Sequence, residues 1–218
     1  MSLYIDEEKK EIYLSVGDLI TEGERVKIGF SGSEGYERLW VGQSLHSRYY
    51  EEQIYKDESY QREVFLKLEF EVLGWKVFLQ GRADGIKKED GKLILEEIKT
   101  LYFAKDFPSF FESQTWNIYK KQAEVYAYML SNLKGKEVKS HIILLDIASH
   151  DIKIFEIEVN KERVTAYILN RIKKIIRGIE AKKEKIEEEK IFSKQISFIY
   201  PKYRPYQKEL IEEIEDSL

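Results

Sequence analysis

One β-hairpin constrains this chain more than any other feature of its 218 residues. Residues 75–86 and 92–99 read as strands, joined by Lys88-Glu89-Asp90-Gly91. Asp-Gly is a strong cue for a two-residue hairpin turn, whose central positions need positive φ. Folding about it carries Asp84 towards Glu97. A third strand, 63–73, turns into the pair at Gly74. The second limb of the hairpin is apolar through Leu93-Ile94-Leu95 and then ends in Glu96-Glu97-Ile98-Lys99. Strand residues two apart share a face, so Glu97 and Lys99 project together beside the positions of Leu93 and Leu95. Two charges there are costly to bury without partners. Glu96 points the other way and reads as a bystander.

The flanking sequence predicts a mixed α/β layout. Residues 11–16 read as a short strand, and Ser15 with Asp18 resembles a helix start. Gly23, Gly29, Gly32 and Gly35 make 22–36 a loop. A helix is expected from Glu37 to about Tyr60, with Leu39, Leu45, Tyr49 and Tyr50 as buried candidates. After an irregular aromatic stretch over 101–112, a helix is predicted over 113–132. Trp116, Tyr119, Ala123, Tyr126, Ala127 and Leu130 recur there at helical spacing. Strands follow at 138–147 and 151–159. A long helix then begins near Asn160 and ends in the solvated run AKKEKIEEEK. The division expected is a domain over 1–190 and an extension over 191–218 that ends in a short polar helix.

Composition narrows the chemistry. Cysteine is absent, which excludes disulfides, a cysteine-bound zinc and a cysteine-ligated iron–sulfur cluster. Charged residues make up 35% of the chain, yet the net charge is only −4. A nucleic-acid surface would therefore have to be a local basic patch. Its candidates are Arg48, Lys56, Arg62, Arg82, Lys87, Lys88, Lys105, Lys120 and Lys121. The N-terminus is too charged for a signal peptide, and no apolar run reaches membrane-spanning length. The expectation is a cytoplasmic protein with no membrane partner.

Acid-x-Lys triplets also start at Glu7, Glu8, Asp90, Glu137, Asp151, Glu180 and Glu188, so the triplet alone says little. Only Glu97-Ile98-Lys99 closes an apolar strand. Two carboxylates meeting at a strand end repel unless a cation lies between them. Oxygen donors select hard ions such as magnesium or manganese. Such an ion can activate water, and Lys99 can position that water or offset charge on a phosphate. The bland alternatives stand beside this reading. Asp84 is a turn aspartate before a glycine, and Glu97 with Lys99 is an ion pair on an exposed sheet face.

Gly81-x-x-Asp84 followed by Glu97-x-Lys99 resembles the core of PD-(D/E)XK nucleases. Gln122-Ala123-Glu124-Val125-Tyr126 resembles the Gln-x-x-x-Tyr helix of their RecB-like branch. His46, in Gly42-Gln43-Ser44-Leu45-His46, resembles that branch's histidine on an early helix, and Leu14-Ser15-Val16-Gly17-Asp18-Leu19 its opening. Together these span roughly residues 11 to 160. Ala83-Asp84 replaces the literal Pro-Asp, and the four cluster-binding cysteines of many relatives are missing.

The resemblance implies a restriction-endonuclease-like core, a mixed β-sheet flanked by helices. It implies a magnesium- or manganese-dependent DNA nuclease, with His46, Asp84 and Glu97 as metal ligands, while the absence of cysteine leaves no iron–sulfur cluster to expect. Lys99, Gln122 and Tyr126 would complete the reaction centre, with Gln122 orienting Lys99 or a phosphate and Tyr126 against the scissile strand. The substrate expected is DNA that is single-stranded or has free ends. Arg82 and Lys105 are weaker candidates for phosphate contact. Phe107, Phe110, Phe111, Trp116 and Tyr119 can stack on bases or fill a core, and the core is favoured for most. Taken without the resemblance, His46 and Gln122 fit a helix face and Tyr126 a core.

Tyr200-Pro201-Lys202-Tyr203-Arg204-Pro205-Tyr206-Gln207 is similar to the adenine-contacting opening of XPD/DinG-type helicases. No phosphate loop exists in the chain, so it is not an ATPase by itself. The expectation is the nuclease part of a DNA repair or processing helicase–nuclease, with a helicase domain in the same longer chain, or else a stand-alone relative with a remnant tail. The alternative is a catalytically inactive DNA-binding or docking module that keeps the nuclease fold.

Overall fold

The structure, a computed structural model, describes residues 3–21, 33–103, 107–195, 204 and 206–216. Strands β1 (Tyr4–Asp6) and β2 (Glu11–Ser15) lead into helices α1 (Val16–Thr21) and α2 (Ser33–Lys56). A meander follows, of β3 (Gln61–Val72), β4 (Trp75–Glu89) and β5 (Lys92–Leu101). After the short α3 (Phe107–Phe110) come α4 (Gln114–Lys134), β6 (Val138–Asp146) and β7 (Ile152–Ile157). Helices α5 (Lys161–Gln195) and α6 (Gln207–Asp216) complete the chain.

The seven strands form one mixed sheet in the order β1-β2-β4-β5-β6-β7, with β3 paired to β4. The layout is compatible with a restriction-endonuclease-like core. Parallel pairing joins β2 to β4 and β5 to β6, and the other pairs are antiparallel. Both turns of the meander form as the sequence predicts. Leu73 and Gly74 have φ of 51° and 74°, and Asp90 and Gly91 of 49° and 77°. Paired positive φ is the geometry that matches the twist of adjoining strands.

Helix α4 begins where Ser113 accepts the Trp116 amide at 3.1 Å and stops at Gly135, φ 62°. Its Trp116 and Ala123 pack on Ile142 and Leu144 of β6. Helix α2 covers the opposite face, where Tyr49 and Tyr50 meet Ile98, Ile143 and Leu145. Register places Glu97 beside Ile142 and Lys99 beside Leu144, so both belong to the α4 side. Ile98 pairs with Ile143 and belongs to the α2 side. Strand β5 is thus covered on both faces, as parallel-paired strands usually are.

Two features depart from the sequence reading. Helix α2 starts at Ser33, so Gly35 lies inside it and not in a loop. The rest of that expected loop, 22–32, lies outside the described residues, as do Lys105 and most of the helicase-like tail. The short β1 had no periodicity long enough to betray it.

The chain divides into two units, Met1–Ile176 and Arg177–Leu218. In the first, α5 is capped by Asn160, whose Oδ1 accepts the Arg163 amide at 2.8 Å. Val164, Ile168, Ile172 and Ile176 are buried on that stretch, one per turn. In the second, helical turns carry spaced ion pairs such as Lys185–Glu189 and Lys208–Glu212, both at 3.7 Å. No described helix is long and apolar enough to cross a membrane.

Candidate active site

The antiparallel ladder between β4 and β5 ends at the pair Gly85–Glu96. Asp84 and Glu97 are the next two residues, and there the strands open. The Asp84 side chain fills the gap, its Oδ2 accepting the Ile98 amide at 2.7 Å. Asp84 therefore sits in mid-strand, and the turn-aspartate reading does not hold. Opposite it across the β3–β4 ladder, Glu63 has φ 50° and drops out of the pairing. A non-glycine residue in that region is strained by roughly 1 kcal/mol or more, and such strain tends to collect at functional sites. Nothing in the sequence around Glu63 announced it.

Two glycines let rings close on this stretch from opposite sides. A Cβ on Gly81 would lie 2.6 Å from the Tyr126 hydroxyl, and one on Gly85 only 2.0 Å from the Tyr60 hydroxyl. Gly81 thus serves Tyr126, on α4, which also hydrogen-bonds the Arg82 backbone. The strand bearing Asp84 is held between a tyrosine of α4 and the tyrosine that precedes β3.

Glu97 is 1% exposed. Its Oε1 lies 2.6 Å from Lys99 Nζ, and its Oε2 is buried with no hydrogen-bond partner. Burial pushes the Glu97 carboxyl up to about 7, and Asp84 adds to the rise while Lys99 opposes it. For Lys99, burial alone would lower the ammonium. The charges of Glu97 and Asp84 outweigh burial and hold it above its ordinary value. The Lys99 ammonium also stands 5.3 Å from the centre of the Tyr119 ring. The exposed ion-pair reading fails for this pair, because neither partner is on an open sheet face.

His46 reaches the site from α2. Burial lowers its imidazole, Asp84 and Glu63 pull the other way, and Lys99 acts with burial. Its ring meets Tyr50 edge-on at 6.2 Å. Burial pushes the Tyr126 phenol up to about 12, with Glu97 and Asp84 adding to it. Gln122 lies half-buried one turn before Tyr126, and no hydrogen bond joins it to Lys99. The structure thus gathers Asp84, Glu97, Lys99, His46 and Tyr126 into one electrostatic neighbourhood and leaves Gln122 at its margin.

Several candidates for the basic patch have acidic neighbours. Arg82 faces Glu63 at 3.9 Å, Arg48 faces Glu52 at 3.3 Å, and Lys87 is drawn inward to Glu96 at 2.9 Å. Phe110, Phe111 and Trp116 pack on one another, with centroids 5.0 to 5.8 Å apart. They form core and not a stacking platform.

Among the described residues no group of three or more histidines, aspartates and glutamates is close enough to hold a metal ion. A hard cation is nonetheless compatible with the carboxylate pair. Glu97 Oε2 is an orphaned buried acceptor beside Asp84, and buried acceptors of that kind call for an unseen water or ion.

No protein-family model and no curated protein matches this chain. Solved structures show a distant likeness, and two of them serve as examples. The protein named SSO0001 is 21% identical, with 78% of each chain covered and a TM-score of 0.49. A candidate exonuclease from Eubacterium rectale is 19% identical, with 61% of this chain and 52% of that chain covered and a TM-score of 0.41.

Proposed function

We propose that this chain is a metal-dependent deoxyribonuclease that hydrolyses phosphodiester bonds, with magnesium or manganese as its ion. One observation carries the reading: Glu97 is a buried carboxylate with one oxygen unpartnered, its other oxygen neutralised only by Lys99, and Asp84 beside it. A protein gains nothing in stability from that arrangement. A perturbed, desolvated carboxylate beside an amine marks a candidate reaction site.

Asp84 and Glu97 would hold the ion, with His46 from α2 as the further donor. Once bound, the ion would neutralise charge on the scissile phosphate and acidify water. The chain's own groups do the rest. Lys99 stays protonated because two carboxylates face it, so it presents a fixed positive charge where negative charge grows in the transition state. His46 stays neutral, which suits either ligation or acceptance of a proton from the attacking water. Tyr126 stays a phenol and buttresses the strand beneath Asp84. Water adds to phosphorus, the bond to the leaving oxygen breaks, and that oxygen takes up a proton.

The substrate proposed is DNA with free ends or unpaired strands. The wider role proposed is the nuclease part of a repair or processing helicase–nuclease, with the helicase in the same longer chain. Purified protein with manganese should cut single- or double-stranded DNA, and Asp84→Ala and Lys99→Ala should each abolish cutting. Intact DNA at several salt concentrations, or full activity in either variant, would overturn the reading.

One observation favours a module that keeps the fold without the chemistry. The ligand set is incomplete among the described residues, and Lys99 already partly answers the Glu97 charge. Calorimetry decides between them, since only the nuclease binds manganese in a manner that depends on Asp84 and Glu97.

A further inference from the structure

The neighbour of Glu97 on the other face of β5 has no part in that chemistry, yet it is fully buried and drawn to three side chains from separate parts of the fold. Glu96 is 0% exposed. Its Oε2 accepts hydrogen bonds from the hydroxyls of Tyr49 and Tyr60, each at 3.1 Å. Its Oε1 lies 2.9 Å from Lys87 Nζ, an ion-pair contact that lacks hydrogen-bond geometry. Three partners thus come from three places: α2, the residue before β3, and β4. Gly85 is what allows Tyr60 in, since a Cβ there would fall 2.0 Å from its hydroxyl.

We propose that Glu96 is a positioning residue, which fixes the rotation and register of α2 on the sheet and thereby holds the His46 imidazole at the reaction centre. The inference rests on the nuclease reading for its functional consequence, though not for its geometry. Stability is a poor reason to keep such a network, because well-packed apolar residues usually replace a buried ion pair at no loss. What apolar contact cannot supply is direction. Leu45, Tyr49 and Tyr50 lie on Ile98, Ile143 and Leu145, and attraction of that kind is non-directional and tolerates sliding. A hydroxyl bound to a fixed oxygen tolerates far less.

The link from Glu96 to His46 is short. Tyr49 follows His46 by three positions, so the two are neighbours on the helix surface. A second route runs through rings, with Tyr60 6.4 Å from Tyr50 and Tyr50 6.2 Å from His46. Helix α2 also lies close to β5, since a Cβ on Gly42 would be 3.0 Å from Thr100 Oγ1. At that separation a small rotation of α2 carries the imidazole away from Asp84.

The test compares full-length wild type with Tyr49→Phe, Glu96→Gln and Gly85→Ala. Three histidines make the imidazole resonances few enough to assign. The first readout is the His46 ring, its shift and its through-space contact with Tyr50 in metal-free protein, with His150 as internal control. The second is kcat and KM on DNA with manganese. The expected result is a moved His46 signal, a lost Tyr50 contact, and kcat lower by on the order of tenfold with KM little changed. His46 resonances and kcat unmoved in all three variants, even with a lower melting temperature, would reduce Glu96 to a structural residue and overturn the proposal. Should wild type neither cut DNA nor bind manganese, the nuclease reading fails alone. The His46 resonances then still decide the anchor, upholding it if they move and overturning it if they do not.

Discussion

Glu97→Gln should make the metal-free protein more stable at pH 8, although it destroys the proposed site. Burial raises the Glu97 carboxyl from an ordinary 4.5 to about 7 in the folded chain. A raised folded value means that the native state holds a proton which the unfolded state has released. Stability from this group is full below pH 4.5 and falls as pH rises towards 7, then stays low. At about 1.4 kcal/mol per pH unit, the loss is on the order of 3 kcal/mol. That figure already includes the attraction of Lys99, which opposes the shift. The neutral isostere therefore gives up the attraction and the burial penalty together. For a unit of this size 3 kcal/mol corresponds to roughly 6–12 °C in melting temperature. Melts in chelator, followed through the buried Trp75 and Trp116, should show the two proteins alike near pH 4.5 and the variant ahead by pH 8. Manganese should raise wild type and leave the variant unmoved. A variant less stable at pH 8, or a difference that does not change with pH, would refute the argument that Glu97 is held against its electrostatic preference.

Lys99→Ala should behave in the opposite sense, costing more stability at pH 8 than at pH 5, because only ionised Glu97 needs the ammonium at 2.6 Å; equal losses at both pH values would count against the pairing. Gly81→Ala drives a methyl into the Tyr126 ring, 2.6 Å from its hydroxyl and 2.8 Å from Cε1, and should cost about 1–3 kcal/mol by urea unfolding, with Tyr126→Ala in the same chain restoring part of it. Asp146 accepts from the amides of Phe103 and Ser149 and from the Ser149 hydroxyl. Burial alone would raise its carboxyl, but these bonds prevail and lower it to about 2. Its stabilisation should be intact above pH 3.8, fade as pH falls towards 2, and be absent from Asp146→Ala, as acid titration of the near-ultraviolet signal will show.

The hairpin was legible because its determinants are local. The Asp90-Gly91 turn, the apolar run of β5 and the two-residue spacing of Glu97 and Lys99 need no distant partner to be read. What stayed hidden is what distant residues impose. Gly81 and Gly85 look alike in sequence, two permissive residues flanking Asp84. In the fold they are the imprints of Tyr126 and Tyr60, which approach the strand from different elements. The strained backbone of Glu63 left no trace in its own neighbours.

Glu96 shows why the error ran in one direction. Alternation on a strand said correctly that it points away from Glu97, and on a half-exposed sheet an acid pointing away would meet water. Strand β5 has no wet face, because β6 pairs with it in parallel and helices cover both sides. On such a strand every acid must be answered. Glu97 is answered by Lys99 two residues on, within reach of a sequence argument. The partners of Glu96 are 47, 36 and 9 residues away, and only the fold brings them there. Two adjacent acids at the end of a strand buried on both sides therefore imply a polar pocket in each layer, one proposed to hold an ion and one closed by tyrosines.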